Sequence, residues 1–371
     1  MDKILILTET VAGYGHYSAA NSLKKAIRMR YPSLEVHIVC MLPLISKPLE
    51  TLIGKFYTQT LRFAPSLWGA AYSQDREWDR FFREPLGKLV SGKLKEIIDS
   101  LSPKLIVCTH AFCLSACTHL KQKKAGSFRL GAVVTDFDAH SFWIHPDVDF
   151  YIIAHEEIGN KIRMKTPLPR LYPTGIPIDP SFSLNQKDAR RARQQLGIDL
   201  DRFTILLMGG GGGMGPIKKS LDSFRKSFCH QPFQLLIITG NNQALYESLH
   251  METRTDPHIY TFPFVHNMVD FMCASDFIIT KPGGMTCSEA MATGLPMVIC
   301  KPIPGQEENN SDFLLNRGAA IRQDKPKRLP EDLSGLLQQP QQLALMRKQA
   351  SSIGKPYSSF HGAEIIADHL H

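Results

Sequence analysis

Short apolar runs alternate with stretches of helical spacing along almost the whole chain, and this alternation most limits what the chain can fold into. A first set of runs comprises Lys3–Thr8, Glu35–Met41, Leu105–Thr109, Leu130–Thr135 and Phe150–Ala154. A second set comprises Phe203–Met208, Gln234–Thr239, His258–Thr261, Phe277–Thr280 and Met297–Cys300. Strands that alternate with helices in this way build parallel sheets. The expected fold class is therefore α/β. The two sets repeat one architecture rather than one sequence, and the Pro/Gly-rich connector Pro173-Thr-Gly-Ile-Pro-Ile-Asp-Pro180 separates them. A length of 371 residues suits two domains of ordinary size. Asp188–Leu196 reads as a short helix after the connector, and the tail Ser358–Leu370 also looks helical.

The stretch Pro282-Gly-Gly-Met-Thr-Cys-Ser-Glu289-Ala290 has the most chemical content. Phe277–Thr280 is apolar enough for a buried strand, and Pro282-Gly283-Gly284 cannot continue it. Met285–Thr293 has helical spacing, with Gly294 as its stop. A glycine pair before a helix lets backbone N–H groups approach a phosphate, and the helix dipole favours that anion. Glu289 falls one turn into the helix, where a carboxylate can accept the two hydroxyl donors of a ribose. The stretch reads as a nucleotide-diphosphate site; on turn chemistry alone an ordinary strand-to-helix turn remains open.

Charge and cysteine content narrow the partners. The net charge is +8. Nucleic acid is not expected, because no recognised module appears and no basic run carries interleaved aromatics. An anionic small substrate and an anionic lipid surface both suit the charge. No segment approaches 18 uncharged apolar residues, so no membrane span is expected. The opening Met1-Asp-Lys-Ile-Leu-Ile-Leu-Thr-Glu turns polar after four apolar residues and reads as a first strand, which implies a cytoplasmic chain. Eight cysteines fit reduced thiols there. His110, Cys113, Cys117 and His119 invite a zinc reading. Cys113 and Cys117 lie four apart in an apolar helical run, so small buried thiols are the better account, and no metal or other cofactor is expected.

Further motifs follow other strands. Gly13-Tyr-Gly-His-Tyr-Ser-Ala-Ala nearly matches the dinucleotide fingerprint, but Ser18 stands at the third small position. The second strand also lacks the acidic residue at its end, which argues against a nicotinamide cofactor. Met208 precedes five consecutive glycines, a backbone that can lie flat against a ligand, and no Gly-Lys-Ser/Thr follows to make a P-loop. Asp136-Phe-Asp138 formally matches a metal-binding D-x-D pair. In Pro43–Arg83, Leu49, Leu52, Ile53, Phe56, Tyr57 and Leu61 share one helical face, and Phe63, Trp68, Tyr72, Trp78, Phe81 and Phe82 follow. With Lys47, Lys55 and Arg62 beside it, the segment fits an interfacial membrane helix or an amphipathic helix packed on its own domain.

Taken together, the motifs resemble the family 28 glycosyltransferases, and within them the branch of monogalactosyldiacylglycerol synthases and processive diacylglycerol glucosyltransferases. The shared pattern is P-G-G, T-x-x-E-A, G-L-P and P-G-Q-E-x-x-N. This chain carries it in Gly283, Gly284, Thr286, Glu289, Gly294, Pro296, Gly305, Gln306, Glu307 and Asn310. The family usually has glycine where this chain has Asn309, and asparagine is the next-best residue for a left-handed backbone.

The resemblance implies two Rossmann-like domains facing across a cleft, the GT-B fold. Residues 1–180 would form the acceptor domain, joined by a C-terminal helix at 356–371, and 181–355 the UDP-sugar domain. It implies an inverting, metal-independent transfer of a hexose from UDP-glucose or UDP-galactose to a lipid hydroxyl, most simply that of diacylglycerol. Another hydrophobic acceptor, such as a secondary metabolite, is a rival, and a non-catalytic UDP-sugar sensor is a rival of another class. His16 matches the family's first-loop histidine. A helix N-terminus would keep it neutral and able to take a proton. Asp136 would support His16 or the acceptor. Gly210 and Gly211 would contact the donor, the backbone at Phe264 and Val265 would read uracil, and Gln306 and Glu307 would hold sugar hydroxyls. Phe56, Tyr57 and Trp68 would serve the acceptor and a peripheral contact with anionic membrane.

Overall fold

Apolar β-branched runs with side chains buried on both faces pair as parallel strands, and every strand pair here is parallel. The structure, a computed structural model, describes residues 2–10, 14–45, 59, 84–123, 127–166, 170–227 and 233–371, with side chains left out for 44–45, 84–90 and 227. Phe56, Tyr57 and Trp68, expected to serve the acceptor and the membrane, lie outside the described residues.

The first sheet has the order β2-β1-β3-β4-β5-β6, built from Lys3–Thr8, Glu35–Cys40, Leu105–Cys108, Arg129–Val133, Phe150–Ile152 and Arg170–Tyr172 in chain order. The second has the order β12-β11-β10-β7-β8-β9, built from Phe203–Met208, Phe233–Ile238, Ile259–Phe262, Phe277–Thr280, Met297–Ile299 and Ala320–Arg322 in chain order. The expected strands are all present, with ends shifted by a residue or two. Met41, expected at the end of β2, instead opens the helix Met41–Ile45. Two strands were not foreseen. β6 and β12 are edge strands whose triplets Arg-Leu-Tyr and Ala-Ile-Arg are partly exposed and too mixed to form an apolar run.

Two compact units result. One contains Met1–Pro180, Ile303–Asn309 and Tyr357–His371; the other contains Ser181–Pro302 and Asn310–Pro356. In the first unit Ile4, Ile6, Leu105, Val107, Val133 and Ile152 from the sheet meet Leu23 and Ile27 of the helix Gly15–Arg30. Phe360, Ala363 and Ile366 of the terminal helix Ser358–Asp368 complete that core. Gly362 marks the close approach, since a Cβ there would stand 2.7 Å from Leu23. In the second unit Ile205, Leu207, Leu235, Ile237 and Ile279 pack against Leu221, Phe224, Leu329 and Leu333.

Each sheet has one place where the winding reverses. In the first sheet the chain runs from β1 to β2 on one side and then resumes at β3 on the other. In the second, β8 and β9 follow β7 on one side, and β10 resumes on the other. Open parallel sheets bind ligands beyond the carboxyl ends of the strands at such points.

Candidate functional site

His16 sits at the reversal point of the first sheet, in the first turn of the helix Gly15–Arg30 that follows β1. Its Nδ1 lies 2.9 Å from the carbonyl oxygen of Thr109, just past β3, and 2.7 Å from the Thr135 hydroxyl, just past β4. The Thr109 hydroxyl donates back to the carbonyl of His16 at 3.0 Å. A carbonyl can only accept, so Nδ1 carries the proton and the neutral ring keeps its lone pair on Nε2. Burial lowers the His16 pKa to about 4, and the bond to Thr109 opposes this more weakly. The imidazole is therefore neutral near pH 7, with desolvation as the larger cause.

His110 packs edge-on against His16, with ring centroids 4.6 Å apart. Its Nδ1 accepts from the Phe112 N–H and caps the helix Ala111–Gln122. Burial first, and then His16, push its pKa well below the usual histidine range. Cys113 and Cys117 are fully buried on that helix, and burial raises the Cys113 thiol pKa. Among the described residues, no group of three or more His, Cys, Asp or Glu could hold a metal ion.

The loop after β4 carries both aspartates of the D-x-D pair. Asp136 is buried, and its neighbour Thr135 meets the His16 ring. Asp138 accepts from Lys161 Nζ with both oxygens, each at 2.9 Å, and from the Asn309 side-chain amide at 2.7 Å.

The second unit's reversal point lies between the glycine run after β7 and the Pro282-Gly283-Gly284 turn after β10. The glycine run is folded on itself: Gly213 N–H donates to Gly210, and Met214 N–H to Gly209. The carbonyl of Gly211 accepts from Asn241, which ties the run to the end of β8. A Cβ on Gly213, at φ 61°, would stand 2.1 Å from the carbonyl oxygen of Thr239. The fold itself thus requires glycine in this run. Lys281 passes beside it, its Cε 3.4 Å from where a Gly210 Cβ would be.

Gly283 is different. Its φ is an ordinary −71°, and a Cβ there would meet nothing within 4 Å. Among the described residues no contact requires glycine there, and the bare backbone leaves room for a ligand to approach. The helix Gly284–Ala292 begins at the next residue, so its first N–H groups present the partial positive end of the helix there. Thr286 is buried in its first turn, and Glu289 follows it, half-buried. Asn310 is fully buried and donates to the carbonyl of Pro282 at 3.0 Å, so it supports this turn from behind.

Phe264 is exposed after β9, its ring 5.1 Å from that of His266, and Val265 beside it is half-buried. Gln306 opens the helix Gln306–Asn316. Glu307, in its first turn, is buried and accepts from Ile303 N–H at 3.0 Å, closing the loop before the helix. Thr109, Thr135 and Lys281 were not singled out from the sequence. The signal that could have found them is position, since each lies within two residues of the carboxyl end of a central strand.

Comparison with known proteins agrees with this architecture. Residues 16–178 match the family described as monogalactosyldiacylglycerol (MGDG) synthase, and residues 204–360 match the glycosyltransferase family 28 C-terminal domain. Proteins named processive diacylglycerol beta-glucosyltransferase from Bacillus cytotoxicus and Bacillus thuringiensis are 28% and 29% identical, each covering 100% of this chain and 94% of the relative. Among solved structures, MurG of Acinetobacter baumannii superposes with a TM-score of 0.63 at 14% identity, covering 99% of this chain and 100% of MurG. The UDP-glucose complex of Anabaena HepE superposes with a TM-score of 0.56 at 15% identity, covering 100% of this chain and 99% of HepE. These likenesses show the GT-B fold. This chain is a glycosyltransferase and belongs to family 28, in the branch of monogalactosyldiacylglycerol synthases and processive diacylglycerol glucosyltransferases.

Proposed function

We propose that the protein transfers a hexose from a UDP-sugar, UDP-glucose or UDP-galactose, to the free hydroxyl of diacylglycerol, with inversion and without a metal ion. The observation that carries this reading is the neutral His16 ring, whose Nδ1–H is held by Thr109 and whose lone pair lies on Nε2. Such a group can take the proton of an acceptor hydroxyl as the oxygen attacks the anomeric carbon. An imidazole with so low a pKa is a weak base in the free protein. Negative charge brought beside the ring by bound substrate would stabilise imidazolium and raise the pKa toward the working range.

On the donor side, Gly283 and the first N–H groups of Gly284–Ala292 suit the charge that develops on departing UDP. Lys281 adds a cation at the same reversal point. Glu289 suits the ribose hydroxyls, Phe264 and Val265 the uracil, and Gln306 the hexose. The relatives' names specify a beta product. UDP-glucose carries its sugar in the α configuration, so a beta product means inversion. The same names support diacylglycerol as acceptor and glucose as the first sugar to test. Peripheral contact of residues 47–82 with anionic membrane belongs to this proposal, and no helix among the described residues is long and apolar enough to cross a membrane.

The test is to incubate the protein with each UDP-sugar and a lipid extract and to identify the product by mass. A hexosylated diacylglycerol supports the reading. A hexosylated product of another hydrophobic alcohol would move the acceptor to that class, and UDP-sugar binding without transfer would make the chain a sensor.

A further inference from the structure

The loop that seats His16 also grips a segment far away in the chain. Thr135 meets the His16 ring, and three residues later Asp138 accepts from the Asn309 amide at 2.7 Å. Asn309 lies in the first turn of the helix Gln306–Asn316, on a segment that clusters with residues 1–180. The Asp138 carboxylate is fixed on its other side by Lys161 Nζ, from the helix Glu156–Arg163. Its side chain is 22% exposed, so these bonds are only partly weakened by water. Asn309 replaces the glycine usual at this place in the family pattern, and glycine has no side chain to make the contact.

We infer that Asp138 is a positioning residue. Through Asn309 it holds the start of the helix Gln306–Asn316, and with it Gln306, in register with the loop that orients His16. The inference rests on the donor-site reading above and deepens it: the 303–309 segment meets the hexose, and the latch tunes affinity for the sugar rather than for the nucleotide. The Asp138 carboxylate thereby has a use that requires no metal ion.

Asn309→Gly removes the amide and leaves the Lys161–Asp138 pair. Asn309→Asp sets a carboxylate against Asp138, and the exchange Asp138→Asn with Asn309→Asp restores a donor–acceptor pair. KM for UDP-glucose and the dissociation constant of UDP, from calorimetry, are measured for all, with thermal melts confirming the fold. Loss of a hydrogen bond to a charged group should raise the UDP-glucose KM about tenfold in Asn309→Gly, and further in Asn309→Asp. The exchange variant should recover most of the loss, and UDP affinity should stay within about twofold throughout. If wild-type protein binds UDP but the variants keep a normal UDP-glucose KM, the latch is overturned alone. Equal weakening of UDP and UDP-glucose would also overturn it, since the contact would then act on the whole site. If wild-type protein fails to bind UDP, the donor-site reading falls, and the latch with it.

Discussion

Nδ1 of His16 stands 2.9 Å from the carbonyl oxygen of Thr109, and this one contact decides which nitrogen of the ring can act. The carbonyl requires a proton on Nδ1, so only Nε2 can receive one. Thr135 holds the same edge of the ring from a second strand end. Two neighbouring strands thus fix the orientation of a side chain that the first turn of a helix alone would leave free to rotate.

His16→Ala should reduce kcat by about 10²–10⁴-fold, the usual cost of losing a general base. UDP affinity should stay normal, because the groups assigned to the nucleotide lie after β9 and β10. Steady-state kinetics with calorimetry on the same preparation checks both halves.

The pH dependence follows from the sign of the His16 shift. The active form is neutral, and burial lowers the pKa to about 4. For the free enzyme, kcat/KM should therefore hold steady through the range where an unperturbed histidine, near 6.5, titrates, and fall only as pH approaches about 4. An acid limb centred near 6.5 would mean that the essential histidine is solvated.

Two glycines separate binding from folding. Gly283→Ala should melt normally, since its Cβ meets no neighbour within 4 Å. It should weaken UDP binding about tenfold or more by standing between the diphosphate and the backbone N–H groups. Gly213→Ala should instead lower stability. Its φ of 61° alone costs about 1–2 kcal/mol with a side chain, and a Cβ would press on Thr239. Thermal melts with and without UDP distinguish the two.

Glu289→Ala should leave the melt unchanged and weaken UDP about ten- to a hundred-fold, the value of about 1.5–3 kcal/mol for hydrogen bonds to a charged group. Affinity for a 2′,3′-dideoxy UDP analogue should change little in the same variant, because the partners of the carboxylate are then already gone.

The strands and the glycine turn were legible in the sequence because both are local. A buried parallel strand is a continuous apolar run, and Pro282-Gly283-Gly284 breaks one with unambiguous chemistry. The edge strands at Arg170–Tyr172 and Ala320–Arg322 escaped because each carries an arginine and is partly exposed, so neither forms an apolar run. The role of Thr135 escaped for a different reason: its contact with His16 spans 119 positions, and only the strand order brings them together. Asn310 read as a donor contact because it sits in the family pattern; its burial against Pro282 shows how it supports the turn. The five glycines read as a ligand cradle, yet Gly213 answers to Thr239 and Gly211 to Asn241, constraints that no local pattern announces.

The most direct measurement incubates purified protein with UDP-glucose, diacylglycerol vesicles and excess EDTA, and reads the product's anomeric proton by NMR. The account predicts a β-linked glucosyl-diacylglycerol, formed at an undiminished rate in EDTA and about 10²–10⁴-fold more slowly with His16→Ala. An α-linked product, or activity that appears only when Mg²⁺ or Mn²⁺ is restored, would contradict it.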